Sequence, residues 1–336
     1  LAPPGMGRVA YGGHRRAGRA WFVGGEPTLR RDLGRLIRAA VTIGHEAVLV
    51  SNGRRFAYDK YARSIVDAGT HRFVVYLHSA DAAVHDRLVG DEAFDQTVQG
   101  IRHLRRFGAN VTVHCVVTRE NVDGLEALVD FCLGQRLGLH LAPMGTDLPR
   151  GAELALAVAE CAKRVEEALL YARKSGMDDS RISFSLLPCC RTVGLKGIER
   201  PVRRRLPGYP AVEVPVKPLP APCLGCELYD SCSVAAPGVM EVFGAGGLQA
   251  PGQLYVADLE LERKTTLPRF DVEKCAEGDE PPGPGLKAAL VDRGEGELEV
   301  WQAAGAVEDV EALAGKNAHG FVLEAGVEAP VTHYLH

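Results

Sequence analysis

Between Ala20 and Leu187 the chain switches, six times over, between short β-rich runs and stretches of helical periodicity. The runs are AWFV (20–23), AVLVS (47–51), RFVVYLH (72–78), NVTVHCVV (110–117), GLHLAP (138–143) and ISFSLL (182–187). Apolar residues at helical spacing fill the intervals: Leu33, Leu36, Ile37 and Ala40; Tyr58, Tyr61, Ala62 and Ile65; Phe94, Thr97, Val98, Ile101 and Leu104; Leu125, Leu128, Val129 and Cys132. A longer helix is predicted from about Ala152 to Ser175, and Gly44, Gly69, Gly108 and Gly176 stand where helices should stop. Strands that read as nearly continuous apolar runs, each followed by a helix, imply right-handed βαβ units and a parallel sheet buried on both faces. A barrel and an open doubly wound sheet both satisfy this pattern. In either, ligands sit at the carboxyl ends of the strands.

The rest of the chain divides by composition. Residues 1–187 form the α/β unit. Residues 188–249 are rich in proline and hold five of the nine cysteines, and residues 250–336 predict a small α+β appendage. In that last part LKAALVD and ELEVWQA, then GFVLEAG, read as strands, with a helix near Val307 to Leu313.

Charge and hydropathy narrow the function. With 39 Lys+Arg against 43 Asp+Glu, the net charge of −4 argues against non-specific nucleic-acid binding. No apolar run approaches the roughly 18 residues of a membrane span. The amino terminus lacks the apolar core of a signal peptide. An odd number of cysteines in a chain this large points to the reducing cytoplasm and to metal binding rather than cross-linking.

Polar groups recur where the strands end: Gly24-Gly25-Glu26-Pro27-Thr28, Ser51-Asn52-Gly53, His78-Ser79-Ala80-Asp81, Thr118-Arg119-Glu120-Asn121 and Ala142-Pro143-Met144. Glycines let a backbone approach a ligand closely. A carboxylate such as Glu26 suits an ammonium group. Ser51, Asp81 and Asn121, taken singly, also read as helix N-caps. The recurrence is what marks a ligand site.

The order and spacing of GGEPT, an SNG triplet, AG…V..LH….HD…G and a late R.N resemble the radical S-adenosylmethionine (SAM) enzymes over about Ala20 to Leu187. The resemblance implies a partial (β/α)6 barrel of TIM type, SAM at its open mouth, and a [4Fe-4S] cluster for reductive cleavage of SAM to a 5′-deoxyadenosyl radical. By the same resemblance, Gly24, Gly25, Glu26 and Pro27 hold the methionyl ammonium. Ser51 and Asn52 lie near the ribose and carboxylate, as do Arg119 and Asn121, while Leu141 to Pro143 border the adenine. Tyr76 stands where the family often has Ser.

The family's cluster is held by a CxxxCxxC loop after its first strand, and no cysteine here precedes Cys115. The first βα unit is thus missing from the pattern. Two readings follow: an excerpt whose upstream sequence carries the motif, favoured by the start at Leu1, or a member without the radical cluster. The second makes the chain a non-catalytic partner subunit with a structural Zn(Cys)4 site.

Cys223-x2-Cys226-x5-Cys232 has metal-ligand spacing, for zinc or for iron and sulfide, and its fourth ligand would be Cys189, Cys190 or Cys275. After such a barrel the pattern resembles the auxiliary-cluster extensions called SPASM or twitch domains, with Ala236 in place of a further Cys. That resemblance implies one auxiliary [4Fe-4S] cluster and a peptide, protein or small-molecule substrate. An electron donor such as flavodoxin or ferredoxin completes the expected partners, with no nucleic acid and no membrane. Cys115, Cys132 and Cys161 read as packing residues, and His85, His114 and His140 as satisfied structural groups.

Overall fold

The computed structural model describes residues 19–23, 25–146, 149–191, 242–243 and 246, with the strand backbones at 288–294, 297–300 and 318–324. All six expected strands form: β1 (Arg19–Val23), β2 (Glu46–Ser51), β3 (Arg72–Tyr76), β4 (Asn110–Val117), β5 (Gly138–Pro143) and β6 (Ile182–Phe184). They run parallel and pair strictly in sequence order.

The connecting helices are α1 (Leu33–Thr42), α2 (Asp59–Asp67), α3 (Ala82–Val89), α4 (Phe94–Arg106), α5 (Leu125–Gly134), α6 (Gly151–Leu154) and α7 (Val158–Lys174). The helices depart from the periodicity at two places. Helix α3 is short and its apolar residues form no strongly one-sided stripe, and its start is capped by the Asp81 carboxylate, which accepts a hydrogen bond from Val84 N at 3.1 Å. The single long helix expected from Ala152 is broken into α6 and α7. At the break the carbonyls of Leu154 and Ala155 turn outward and accept hydrogen bonds from Arg119 N and Nε, at 2.9 and 2.7 Å. The predicted glycine stops hold, with φ of 95° at Gly44 and 113° at Gly69.

One alternating set of strand residues, including Leu49, Phe73, Val75, Val113, Cys115, Leu139 and Leu141, packs against the apolar stripes of α1, α2, α4, α5 and α7. All five helices therefore cover the same face. That one-sided winding is a barrel wall, not a doubly wound sheet. The other face is only partly covered: Val50, Val74, Thr112, His114, His140 and Ser183 are half-buried, while Phe73, Val113 and Leu139 opposite them are at most 1% exposed.

The sheet continues past β1. Strand β9 (Ala318–Glu324) pairs parallel with β1, β7 (Ala288–Gly294) antiparallel with β9, and β8 (Glu297–Val300) antiparallel with β7. The order is β6-β5-β4-β3-β2-β1-β9-β7-β8, so among the described residues the sheet is open, with β6 and β8 as its edges. The three strands expected in the appendage are present, and they extend the main sheet by main-chain pairing at the β1 edge. The helix expected near Val307 lies outside the described residues.

Candidate functional site

The loops at the carboxyl ends of β1 and β2 are tied together by Glu26. Its carboxylate is 3% exposed. Oε1 accepts hydrogen bonds from Thr28 N (3.1 Å), Thr28 Oγ1 (2.6 Å) and Ser51 Oγ (2.8 Å), and Oε2 accepts from Asn52 N (2.9 Å). Four donors around one buried carboxylate offset the desolvation of its charge. Ser51 Oγ in turn accepts from Gly53 N, and Thr28 O accepts from Tyr61 Oη at 2.9 Å and from Arg55 Nη1. Burial first, with the Glu26 charge adding to it against the nearby Arg55, pushes the Tyr61 hydroxyl up to about 12, so it stays a donor.

Backbone fit completes this corner. Gly53 has φ 81°, and a Cβ there would meet Val75 Cγ1 at 2.7 Å. Gly100 on α4 presses on the same turn, where a Cβ would lie 2.3 Å from Gly53 O. Thr97 Oγ1, one turn earlier on α4, donates to Asn52 O at 3.0 Å. A cleft opens beside it, lined by Asn52, Arg54, Tyr76, His85, Val89, Ala93 and Thr97.

The β3 and β4 ends are joined in the same manner by Asn121, which is 2% exposed. Its Oδ1 accepts from Thr118 N and Thr118 Oγ1, at 2.8 and 3.2 Å, and its Nδ2 donates to His78 O and Val116 O, both at 2.8 Å. His78, fully buried, accepts a hydrogen bond from Val116 N on its Nδ1, so the neutral ring carries its proton on Nε2. His78 N donates to His85 Nδ1 at 3.1 Å, and burial holds the His85 imidazole down at about 4. Asp86, beside it in the His-Asp pair, caps the start of α4 by accepting from Ala93 N and Phe94 N.

The expected site residues thus divide by what their side chains touch. Ser51 and Asn52 are hydrogen-bonded to Glu26 at the β1 and β2 ends, where Gly25 lies with φ 43°. Asn121 and Arg119 sit instead in the loop after β4 and make their contacts with the β3 and β4 ends and with Ala155 and Phe243. Gly24 lies outside the described residues. Arg119 keeps its Nη groups beyond its Nε bond and has its guanidinium over the Phe243 ring, 5.3 Å from the centroid. Leu141 is different: its side chain lies in the helix-facing core at 1% exposure, and Ala142 and the half-buried Pro143 carry the β5 end of the mouth.

Among the described residues no group of three His, Cys, Asp or Glu side chains is arranged to hold a metal ion. Burial pushes the thiols of Cys132 and Cys161 up to about 12 and raises that of Cys115 as well, so all three are protonated packing groups. Cys189 and Cys190 follow β6 in a 3-10 turn (Cys189–Arg191), where Cys190 is a half-buried free thiol. The side chain of Cys189, and all of Cys223, Cys226, Cys232 and Cys275, lie outside the described residues. No described helix is long and apolar enough to cross a membrane.

Residues 8–132 match the family described as the radical SAM superfamily. The chain is 30% identical over 130 residues to a probable GTP 3′,8-cyclase of Sulfolobus acidocaldarius, covering 37% of this chain and 41% of that protein. It is 32% identical over 140 residues to an AdoMet-dependent heme synthase of Oleidesulfovibrio alaskensis, covering 40% of this chain and 35% of that one. The matched segment therefore spans well under half of these curated relatives. A solved structure described as native anSMEcpe with bound AdoMet superposes with a TM-score of 0.34 at 13% identity, over 42% of this chain and 40% of that chain. The superfamily uses SAM and a [4Fe-4S] cluster.

Proposed function

Because residues 8–132 match the radical SAM superfamily, we propose that this chain binds SAM at the carboxyl ends of β1 to β5 and serves a radical SAM enzyme. The observation that carries the reading is the Glu26 clasp, which ties the 25–28 and 51–53 loops together at the mouth of a one-sided parallel sheet. In this family the [4Fe-4S] cluster supplies the electron for reductive cleavage of SAM to a 5′-deoxyadenosyl radical.

The chain's own residues bind and orient. Gly24, Gly25, Glu26 and Pro27 would hold the methionyl ammonium, with the Glu26 carboxylate supplying the opposite charge. Arg119 offers guanidinium donors to the carboxylate, as a planar fork does well. Ser51 and Asn52 face the ribose side, and Ala142 and Pro143 border the adenine. Asn121 positions the loop that carries Arg119 rather than reaching outward itself, since its amide is engaged on four sides.

The described residues fit SAM and do not fit the cluster, because every described thiol except Cys190 is buried and protonated. The reading assigns Cys223, Cys226 and Cys232, with Cys189 or Cys190, to one auxiliary [4Fe-4S] cluster. It also takes a peptide, protein or small molecule as substrate and a one-electron donor of the flavodoxin or ferredoxin kind as partner.

The test is anaerobic reconstitution with iron and sulfide, then dithionite and SAM, with 5′-deoxyadenosine measured by chromatography. Production of 5′-deoxyadenosine supports the enzyme. SAM bound but never cleaved favours the non-catalytic SAM-fold subunit.

A further inference from the structure

Arg119, in the loop after β4, is held from three directions. Its N donates to Leu154 O at 2.9 Å and its Nε to Ala155 O at 2.7 Å, at the break between α6 and α7. The Phe243 ring covers its guanidinium, with Cζ 5.3 Å from the ring centroid, inside the roughly 6 Å reach of a cation–π pair. A guanidinium carries five N–H donors in a planar fork. With Nε spent on Ala155, the Nη1–Nη2 edge remains, and among the described residues nothing pairs with it.

These holds share one foundation. Tyr76, Val116, Met144, Leu154 and Ala155 belong to a small buried cluster, and Phe243 packs against it. Tyr76 and Val116 alternate along their strands with Val75, Cys115 and Val117 of the helix-facing core, so this cluster belongs to the other face of the sheet. Leu154 and Ala155 therefore act twice: their side chains are buried in the cluster under Phe243, and their carbonyls hold Arg119. The start of α6 is seated as closely, since a Cβ on Gly151 would lie 2.3 Å from Gly145 O. On the other side, Asn121 fixes the loop through Thr118 N and His78 O.

An arginine on a loop samples many rotamers, and ordering it on binding costs affinity. Here the Nε bond fixes one edge of the guanidinium and the Phe243 ring fixes its plane before any ligand arrives. The ring also keeps water from that flat face, which strengthens the attraction of an anion at the open edge. A two-pronged donor edge fits the two oxygens of a carboxylate. Phe243 itself lies outside residues 8–132, so the matched domain does not supply this contact.

We propose that Phe243 is a positioning residue for SAM: its ring holds the Arg119 guanidinium so that the Nη1–Nη2 edge takes the SAM carboxylate. The inference rests on the reading above that Arg119 meets that carboxylate. It carries a selectivity with it, because Phe243 matters only to a ligand that has the carboxylate.

The test titrates the full chain, calorimetrically and without oxygen, with SAM and with decarboxylated SAM, which keeps the ammonium and sulfonium but has no carboxylate. Phe243→Leu keeps an apolar group over the cluster. It should weaken SAM roughly three- to thirtyfold, for a lost cation–π contact and a guanidinium that must be ordered on binding. Phe243→Tyr, which keeps the ring, should stay within about twofold of the parent. Decarboxylated SAM should bind Phe243→Leu and the parent chain equally. In an Arg119→Ala background the Phe243→Leu loss should vanish, as it does when one side chain acts through another. A second readout needs no ligand: the Arg119 Nε–H resonance, assigned by its absence in Arg119→Lys, should show a lower NMR order parameter in Phe243→Leu. An unchanged order parameter, an equal loss for both ligands, or a loss that persists without Arg119 overturns the positioning role alone. A parent chain that does not bind SAM overturns the reading of the site as well.

Discussion

Ser51 Oγ donates to Glu26 Oε1 at 2.8 Å across two loops whose residues are 25 apart in sequence. This bond, with the one from Asn52 N to Oε2, makes the β1 and β2 ends a single unit. Glu26→Gln would turn an amide NH2 toward backbone and hydroxyl donors. Hydrogen bonds to a charged group are worth about 1.5–3 kcal/mol. The variant should therefore bind SAM roughly ten- to hundredfold more weakly and unfold at lower urea. Ser51→Ala should do less, and the double variant should show coupling, because the two side chains share one bond. Additive losses in urea titrations would remove the clasp.

Asn121→Ala should destabilise the chain by about 2–4 kcal/mol, since it leaves the buried carbonyls of His78 and Val116 without their amide donor. Urea unfolding followed by circular dichroism measures this. A loss below about 1 kcal/mol would mean that the β3 and β4 ends are held by other contacts.

Stability should depend on acid through His85. Its folded value near 4 lies below the roughly 6.5 of an unfolded histidine, so the unfolded chain takes up the proton first. Stability is full above pH 6.5, falls as pH drops toward 4, and levels off below that. A shift of this size corresponds to about 3 kcal/mol. His140 acts in the same direction. Chemical denaturation at pH 7.5 and pH 5 should show the fall, and His85→Gln, which keeps an acceptor for His78 N, should reduce it. An unchanged slope in that variant would contradict the assignment.

Iron analysis addresses the cysteine-rich segment. After anaerobic purification, Cys226→Ala should lose about four irons per chain and the broad visible absorption of a [4Fe-4S] cluster, because four thiolates bind one such cluster. Stoichiometric zinc with no visible band would assign the site to structural metal instead, since the filled d shell of zinc gives no colour.

What could be read from the sequence, and what could not, follows from the range of each interaction. Strands β1 to β6 and helices α1, α2, α4 and α5 are carried by local periodicity, so AVLVS and NVTVHCVV announce themselves. Helix α3 carries no strongly one-sided apolar stripe, and the α6–α7 break depends on Arg119, 35 residues before Leu154. Periodicity has no access to either. The polar strand ends were legible as a set, but their division of labour was not. Leu141 faces the helices because alternation along β5 decides its side, while Asn121, in the loop past the end of β4, turns inward to the carbonyls of His78 and Val116. Tyr76, His114 and His140 stand side by side through register, which joins residues 38 and 26 apart. Likewise GFVLEAG reads as a strand, while its parallel pairing with β1 arises only in the folded sheet.

The most direct test of the central claim is calorimetric titration of SAM into the anaerobically prepared chain, with Arg119→Ala alongside. SAM should bind at a single site, and loss of the guanidinium should weaken it roughly ten- to hundredfold, as expected for one charge-assisted contact. Failure to bind SAM, or the same affinity in the Arg119→Ala variant and the parent chain, would contradict the placement of SAM at these strand ends.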